Sequence, residues 1–253
     1  MTVTIILLCI IAFFAGLVDA IVGGGGLIQT PAGLILLNNN SVAQVIGSLK
    51  IPSFTGTFFA ARTFLTKVKI PLARLLLFTS IAFIASFTGS LCLTKVSNQF
   101  MKPVILVVLV IIAIYTFTKK DFGRETNNET LEFPWYKGAL ICLALGFYDG
   151  FIGPGAGSLL VLAFISWLGF DFLQANAHAK VVNLATNMGS IILFGLKGAI
   201  LWQIALPMAI CNALGGIIGS RLAIMKGNGF IRTVFLVVIL GTLCRLGYDV
   251  FLH

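Results

Sequence analysis

The chain consists largely of long runs of apolar side chains, separated by short polar or glycine-rich breaks. Ten such runs can be marked, five on each side of one polar stretch. A membrane-spanning helix needs about 20 apolar residues. Most runs approach or exceed that length, but the second run of each half is clearly shorter and bounded by glycines. The pattern predicts an all-α polytopic membrane protein in which the two short runs are half-helices or re-entrant pieces. The predicted runs cover 3–22, 26–37, 41–65, 70–94 and 101–118, and then 135–152, 155–168, 172–194, 198–224 and 229–252.

The two halves of the chain are copies of each other. A shift of 130 positions aligns the sequence with itself without gaps, so that Asp19 meets Asp149 and Lys50 meets Lys180. Matched charges at one constant offset are not expected by chance in so apolar a chain. Internal duplication of this kind indicates a repeat architecture. We predict a first transmembrane repeat over 1–118, a polar linker over 119–134 and a second transmembrane repeat over 135–253.

The Lys and Arg residues other than Lys50 and Lys180 test the topology, because such residues concentrate on the cytoplasmic face. If all five runs of each half cross, 11 of these residues collect on one face and 4 on the other. Dropping the short runs makes the split far less lopsided. An odd number of crossings per half is therefore favoured, which makes the halves inverted copies, a common plan for secondary transporters. The same charges predict a cytoplasmic linker and both termini outside. They do not separate five spans from three spans plus a re-entrant hairpin.

Composition supports a membrane location and excludes several classes of protein. Of 253 residues, 58% are hydrophobic and 10% are charged, and the mean hydropathy is +1.05. A soluble domain carries about 25% charged residues. The net charge of +9 does not indicate nucleic-acid binding, because the basic residues lie mostly between apolar runs. The five cysteines lie within or at the ends of these runs and are interpreted as packing residues. No metal site and no cofactor is predicted.

Each half holds a glycine-rich break between its first and second runs. The sequences are GLVDAIVGGGG at 16–26 and GFYDGFIGPGAG at 146–157. Relative to Ala, Gly disfavours a helix by about 1 kcal/mol and Pro by about 3 kcal/mol. The run that follows each break starts with exposed N–H groups and a positive dipole end, so two facing starts would attract an anion. Alternatively, the glycines only permit close helix packing. The substrate-binding positions predicted here are Gly23, Gly24, Gly25, Gly26, Gly153, Gly155, Gly157 and Ser158.

Two pairs of identical charged residues, related by the 130-residue shift, lie within the apolar runs, where an ionised group is costly and indicates function by default. Asp19 and Asp149 each precede a break. They could take up a proton, or hold the break by accepting its N–H groups. Lys50 and Lys180 lie in the third runs. They could bind the substrate anion, or pair with the Asp of their own half.

The lysines belong to a stripe of polar side chains in the third runs, spaced so that they share one helix face. In the second half, Asn183 and Asn187 join Lys180 as predicted substrate-binding residues. His178 has no matching His in the first half. A lone His is more often a hydrogen-bonded interior residue than a proton relay, and both readings stay open. Gln29 and Tyr148 are further candidates beside the breaks.

On these residues the chain resembles the TauE/SafE family of membrane transporters, described as exporters of sulfite and organosulfonates. The resemblance covers nearly the whole length. It implies a secondary transporter of a small sulfur-containing anion in the cytoplasmic (inner) membrane, with the break residues, Lys50 and Lys180 as candidate site positions. The second half has Pro154 and Ala156 where the first has Gly24 and Gly26, so the two half-sites are not equivalent. The motifs that carry the resemblance are G-x-x-D-x-x-x-G-x-G at 16–25 and 146–155, and QANAHAK at 174–180 followed by Asn183 and Asn187.

Two other functions are weighed against transport by alternating access. Inverted repeats also build channels, so an anion channel is one alternative. An intramembrane protease is the other. An aspartyl type lacks the usual partner motif, because no Asp in this chain follows Gly-x-Gly, and a serine type would need Ser158 to face His178. We therefore expect a transporter and not an enzyme, whose partners are a small anion and the lipid bilayer. The sequence does not decide the oligomeric state, and a homodimer is left open.

Overall fold

A computed structural model describes residues 2–97, 99–101, 104, 107 and 134–251, and these residues form an all-helical fold. The last helix departs from helical geometry at Gly227, where φ is 68°, so two helices meet there at a kink. The helices are α1 (Thr2–Val22), α2 (Gly25–Leu36), α3 (Val42–Leu65), α4 (Leu72–Lys95), α5 (Trp135–Phe151), α6 (Ala156–Leu168), α7 (Phe172–Leu196) and α8 (Trp202–Phe251).

The helices follow the predicted apolar runs closely. Each run that falls within the described residues corresponds to one helix, with its ends displaced by a few residues at most. The predicted boundary between the last two runs coincides with the kink at Gly227. The predicted run over 101–118 and the predicted linker over 119–134 lie almost entirely outside the described residues.

Helix lengths separate two kinds of element. Within the described residues, four helical stretches are long and apolar enough to cross a membrane, namely Thr2–Val22, Leu72–Lys95, Phe172–Leu196 and Trp202–Gly227. By contrast, α2 has 12 residues and α6 has 13. At about 1.5 Å of rise per residue they reach about 20 Å at most. That is well short of the hydrocarbon core of about 30 Å.

The short helix α2 folds back along α1. Leu8, near the start of α1, and Leu37, just after α2, belong to one buried apolar cluster. At the other end of the pair, a Cβ on Gly25 would lie 2.5 Å from the carbonyl oxygen of Ala15. The two helices therefore form a hairpin, and the second arm covers little more than half of a bilayer core.

The third helices of the two halves, α3 and α7, pack against each other in opposite directions. Thr57 Oγ1 lies 3.4 Å from Asn183 Oδ1. Farther toward the start of α3, Gly47 lies against the side chain of Phe194, which is close to the end of α7. Residue numbers thus fall along one helix as they rise along the other, so α3 and α7 are antiparallel.

The outer helices interlock the two halves. α1 packs on α8, and α5 packs on α4, so each first helix lies against the fourth helix of the other half. Glycines make these contacts close: a Cβ on Gly219 would lie 2.3 Å from the Leu17 carbonyl oxygen, and one on Gly89 would lie 2.2 Å from that of Phe147. These two contacts are interchanged by the 130-residue shift. The small residues thus let helix backbones approach closely, as is usual between membrane helices.

Candidate functional site

The two glycine-rich breaks touch each other at the centre of the fold. A Cβ on Gly23 would lie 2.4 Å from the carbonyl carbon of Gly157, and one on Gly157 would lie 2.5 Å from the Gly23 oxygen. Gly23, Gly153 and Gly155 also have positive φ angles of 79°, 90° and 75°. Only glycine adopts such angles without strain. The breaks therefore need glycine both to turn the chain and to let the two backbones meet.

The carbonyl groups at the end of α1 find their partners in the other half. Without such partners, the last four carbonyls of a helix are unsatisfied, which is costly away from water. Asn176 Nδ2 donates to the oxygens of Ala20 and Ile21, at 3.2 Å and 2.6 Å. Ser158 Oγ donates to the Val22 oxygen at 3.3 Å. The end of α1 is thus completed by α6 and α7.

The end of α5 is completed in the same way by the first half. Lys50 Nζ donates to the Asp149 carbonyl oxygen at 2.6 Å. Ser90 Oγ donates to the Gly150 oxygen at 3.1 Å. An ammonium group at a helix C-terminus is also favoured by the helix dipole. The helix end at each break is therefore stabilised by hydrogen-bond donors from the opposite half.

The four intramembrane charges form two ion pairs, and each pair joins the halves. Lys50 Nζ lies 2.7 Å from Asp149 Oδ1, and Lys180 Nζ lies 2.8 Å from Asp19 Oδ2. Lys180 also donates to the Asp19 carbonyl oxygen, matching the contact of Lys50 with Asp149. The alternative in which each lysine pairs with the Asp of its own half is wrong. Because α3 and α7 are antiparallel, Lys50 lies at the end of α5 and Lys180 lies at the end of α1.

The carboxylate of Asp149 is the more tightly held of the two. Asn183 Nδ2 donates to its Oδ2 at 3.1 Å, and the Thr186 hydroxyl makes a short hydrogen bond to the same oxygen. Together with Lys50, these donors leave the side chain only 4% exposed. The residues that match Asn183 and Thr186 in the first half are Ser53 and Gly56, and Gly56 has no side-chain donor that could repeat the Thr186 bond at Asp19.

The carboxylate of Asp19 is held more loosely. Apart from Lys180, its donors are the Gly25 N–H at 3.3 Å and the Thr57 hydroxyl at 3.4 Å, both long for hydrogen bonds. The side chain is 18% exposed. The two half-sites therefore differ in how tightly the Asp carboxylate is hydrogen-bonded, as well as in sequence.

A cavity of about 40 Å³ lies where the breaks and the ion pairs meet. A water molecule needs about 10–15 Å³ of such space, so there is room for about three waters or one compact anion. Both aspartates and Lys50 line the cavity, whereas Lys180 lies behind Asp19. The lining residues are Asp19, Gly23, Gly26, Gln29, Thr30, Ile46, Leu49, Lys50, Ser53, Asp149, Ile152, Gly153, Gly155, Ala156, Gly157, Asn183 and Asn187.

Several predicted site residues lie beside the cavity and do not line it. Gly24 caps the start of α2. Gly25 and Ser158 use their donors on Asp19 and on the end of α1. His178 Nδ1 lies 2.8 Å from the Gln174 carbonyl oxygen, and its ring lies 4.5 Å from that of Phe170. In these contacts Ser158 and His178 have different partners, and the structure does not bring them together as a hydroxyl–imidazole pair.

Sequence reasoning missed Asn212, which reaches the cavity wall from α8. Its Nδ2 donates to Gln29 Oε1 at 3.0 Å, and Gln29 Nε2 donates to the Leu49 oxygen at 3.0 Å. The carboxamide of Asn212 fits beside Gly56, where a Cβ would lie 1.9 Å from its Oδ1. Gln29 is thereby fixed with its amide nitrogen toward α3, at the cavity wall. A lone Asn in an apolar run was the available signal.

Asn176 and Thr186 were also missed. The side chain of Asn176 is fully buried, and its Oδ1 has no hydrogen-bond partner. Thr186 looked like an ordinary helix residue, because a threonine hydroxyl in a membrane helix commonly bonds its own backbone. It does so here with the Asn183 oxygen, at 2.9 Å, in addition to its contact with Asp149.

The arrangement combines features that suit a small anion. The N-terminal ends of α2 and α6 adjoin the cavity through Gly26, Ala156 and Gly157. Helix N-termini present N–H groups and a positive dipole end. Lys50, Asn183 and Asn187 add polar groups to the cavity wall. In this arrangement Lys50 and Asn183 donate to Asp149, and Asn187 donates to Asn183.

Known proteins similar to this chain are membrane transporters by name. Residues 8–246 match the family described as "Sulfite exporter TauE/SafE". A "Probable membrane transporter protein" of Haemophilus influenzae is 33% identical over 244 residues, covering 96% of this chain and 94% of that protein. The "Probable membrane transporter protein YfcA" of Escherichia coli K12 is 31% identical over 242 residues, covering 94% and 88%. A "Probable membrane transporter protein ORF9" of a Sinorhizobium species is also 31% identical, covering 96% and 92%. No solved structure matches the chain.

The fold and the comparisons agree. Helices long and apolar enough to cross a bilayer, with charged residues paired in the interior, fit an integral membrane transporter. The family match covers almost the entire chain, as the duplicated motifs indicated. The chain is an integral membrane protein and belongs to the TauE/SafE family of membrane transporters.

Proposed function

We propose that this protein is a secondary transporter that exports a small sulfur-containing anion, sulfite or an organosulfonate, across the cytoplasmic membrane by alternating access. The observation that carries the proposal is the cavity between the two breaks, lined by Lys50, by asparagine amides and by the starts of two short helices. Its size of about 40 Å³ favours a compact anion. The description of the family supports a sulfur anion.

The proposed transport cycle rests on two inverted halves. The antiparallel packing of α3 and α7 and the contacts interchanged by the 130-residue shift both support inversion. The distribution of Lys and Arg supports a cytoplasmic linker and termini outside.

Alternating access requires one half to rock against the other around the cavity. The two ion pairs span this boundary, so Lys50–Asp149 and Lys180–Asp19 are the contacts that such a movement would change first. With the inside of the cell negative, export of one negative charge is downhill by about 2.3 kcal/mol per 100 mV. Proton coupling is therefore optional for a cycle that exports a net negative charge.

The test is sulfite flux in proteoliposomes of the purified protein, with an imposed potential and with taurine, sulfoacetate and chloride as competitors. We expect saturable flux that responds to the potential and is reduced by the sulfur-containing competitors. Cys92→Ser, at an exposed position outside the cavity lining, is a matched control that should transport as the wild type does.

The outcomes separate the alternatives. Flux that rises linearly with concentration, accompanied by measurable conductance, would point to an anion channel. Absence of flux for all four compounds would leave the membrane fold intact and remove the sulfur-anion assignment.

A further inference from the structure

The charges around the cavity cancel among themselves. Lys50 and Lys180 are balanced by Asp19 and Asp149. Among the described residues that line the cavity, no other side chain is charged. An entering anion therefore adds a negative charge that the resting site does not balance, where such a charge is costly.

We propose that Asp19 takes up one proton from water when the anion binds, so that the anion takes over the role of counter-ion to the lysines. This inference rests on the proposed transport of an anion through the cavity. The proton converts the Asp19 carboxylate to the neutral acid. Lys180 keeps its hydrogen bond to the Asp19 carbonyl oxygen, and its charge is then no longer cancelled at the cavity wall.

Geometry selects Asp19 over Asp149. A proton on Asp149 Oδ2 would have to displace a bond from Asn183 Nδ2 or from the Thr186 hydroxyl, and Oδ1 is bonded to Lys50. A proton on Asp19 would displace weaker hydrogen bonds, because the donors to its carboxylate other than Lys180 lie 3.3 Å and 3.4 Å away. The Asp19 side chain is also the more exposed of the two, at 18% against 4% for Asp149.

The groups that face Asp19 are few. Lys180 on α7 bonds it directly, and Lys50 on α3 and Asp149 on α5 share the cavity with it. The helices α2 and α6 contain no ionisable side chain. The other described ionisable side chains on α1 and the helices packed against it do not line the cavity: Cys9, Arg62, His178, Cys211, Arg221 and Lys226.

Proton uptake makes anion affinity depend on pH in a defined direction. Linkage requires that the anion and the proton favour each other's binding equally. If one proton is taken up with each anion, the Kd should rise about tenfold for each unit of increasing pH. A monoanion with one proton then moves no net charge, and a dianion with one proton moves one negative charge.

The experiment is calorimetric titration of the detergent-solubilised full chain with methanesulfonate, in buffers of different ionisation enthalpy. Methanesulfonate stays a monoanion over the accessible pH range, so any proton taken up on binding is taken up by the protein. We expect about one proton per anion for the wild type, and a Kd that weakens about tenfold for each unit of increasing pH.

Two matched variants locate the proton. Asp19→Asn should bind methanesulfonate with no proton uptake and with a Kd independent of pH. Thr186→Val removes a hydrogen bond to Asp149 without changing the charge of the site, and it should keep the wild-type uptake of about one proton and the wild-type pH dependence. Binding by the wild type without proton uptake overturns the inference alone, as does uptake that persists in Asp19→Asn. Absence of both methanesulfonate binding and sulfite flux overturns the proposed function together with it. The wild-type measurement decides the central point even if either variant fails to fold.

Discussion

Each intramembrane lysine serves two acceptors at once, a carboxylate and the carbonyl oxygen of the same Asp. The sequence predicted that these four residues lie in the interior, because charges within apolar runs are conspicuous. It did not predict the partners, because pairing depends on the relative direction of α3 and α7, which no local pattern encodes. The contacts of Asn212 and Thr186 at the site were not predicted for a related reason, since a single polar residue in a membrane helix most often bonds its own helix.

Removal of one member of an ion pair should destabilise the protein more than removal of both. Lys50→Met leaves Asp149 buried without its counter-ion, which typically costs about 3–5 kcal/mol. The double variant Lys50→Met/Asp149→Leu should recover most of that loss, because replacement of a whole buried pair by apolar residues is often nearly neutral. Thermal unfolding in detergent measures both effects.

Sulfite flux distinguishes pairing from substrate binding in the same variants. Since Lys50 lines the cavity, the stable double variant should still lose sulfite flux. Wild-type flux in that variant would mean that Lys50 serves only as a partner of Asp149. Additive destabilisation by the two substitutions would contradict the pairing itself.

At the level of helices and breaks, the sequence was most informative. Runs of apolar residues and clusters of glycine are local signals, so helix positions and the two interruptions could be predicted within a few residues. The fold-back of α2 along α1 and the direct contact of the two breaks could not. They depend on packing between segments that are far apart in the chain.

The contact between the breaks can be tested with a glycine pair that differs only in its surroundings. Gly157→Ala places a methyl group 2.5 Å from the Gly23 oxygen, and the opposing atoms are backbone that cannot easily move. Gly195→Ala, within α7, would meet its nearest neighbour, the Cδ1 atom of Ile200, only at 3.9 Å. We expect Gly157→Ala to lower stability by about 1–3 kcal/mol and to reduce flux.

Gly195→Ala should be neutral or slightly stabilising, because alanine is the better helix former. Equal unfolding temperatures for Gly157→Ala and Gly195→Ala would show that the breaks are not in close contact in the membrane protein. Thermal unfolding and sulfite flux on the same preparations provide the comparison.

At the level of the whole molecule, the two halves are interlocked by contacts between α4 and α7 as well as by the ion pairs. Ser86 Oγ lies 2.8 Å from Ser190 Oγ, and Ser90 Oγ lies 2.9 Å from the same atom. These hydroxyls lie at the contact between the two halves, so movement of one half against the other should break their hydrogen bonds. The duplication could be predicted from the sequence, but this pattern of crossed contacts could not.

A reversible cross-link should arrest that movement. In a background without other cysteines, Ser86→Cys/Ser190→Cys places two thiols where the hydroxyls now lie 2.8 Å apart. We expect oxidation to form a disulfide, to abolish sulfite flux, and to be reversed by a reductant. Each single cysteine variant should be unaffected by oxidation. Undiminished flux through the cross-linked protein would contradict a cycle in which the halves move along this contact.

The mutual completion of the breaks also sets an order of events during biosynthesis. The carbonyl groups at the end of α1 are covered by Ser158, Asn176 and Lys180, which lie 136 to 161 residues later in the chain. These residues have not yet been translated when α1 enters the bilayer. Until the second half is made, these carbonyl groups of the first half must be hydrogen-bonded by water. The cavity can therefore form only after the second half has been inserted. Premature termination anywhere before α7 should leave a membrane-inserted fragment in which these carbonyl groups lack their protein partners, and quality-control proteases should degrade it.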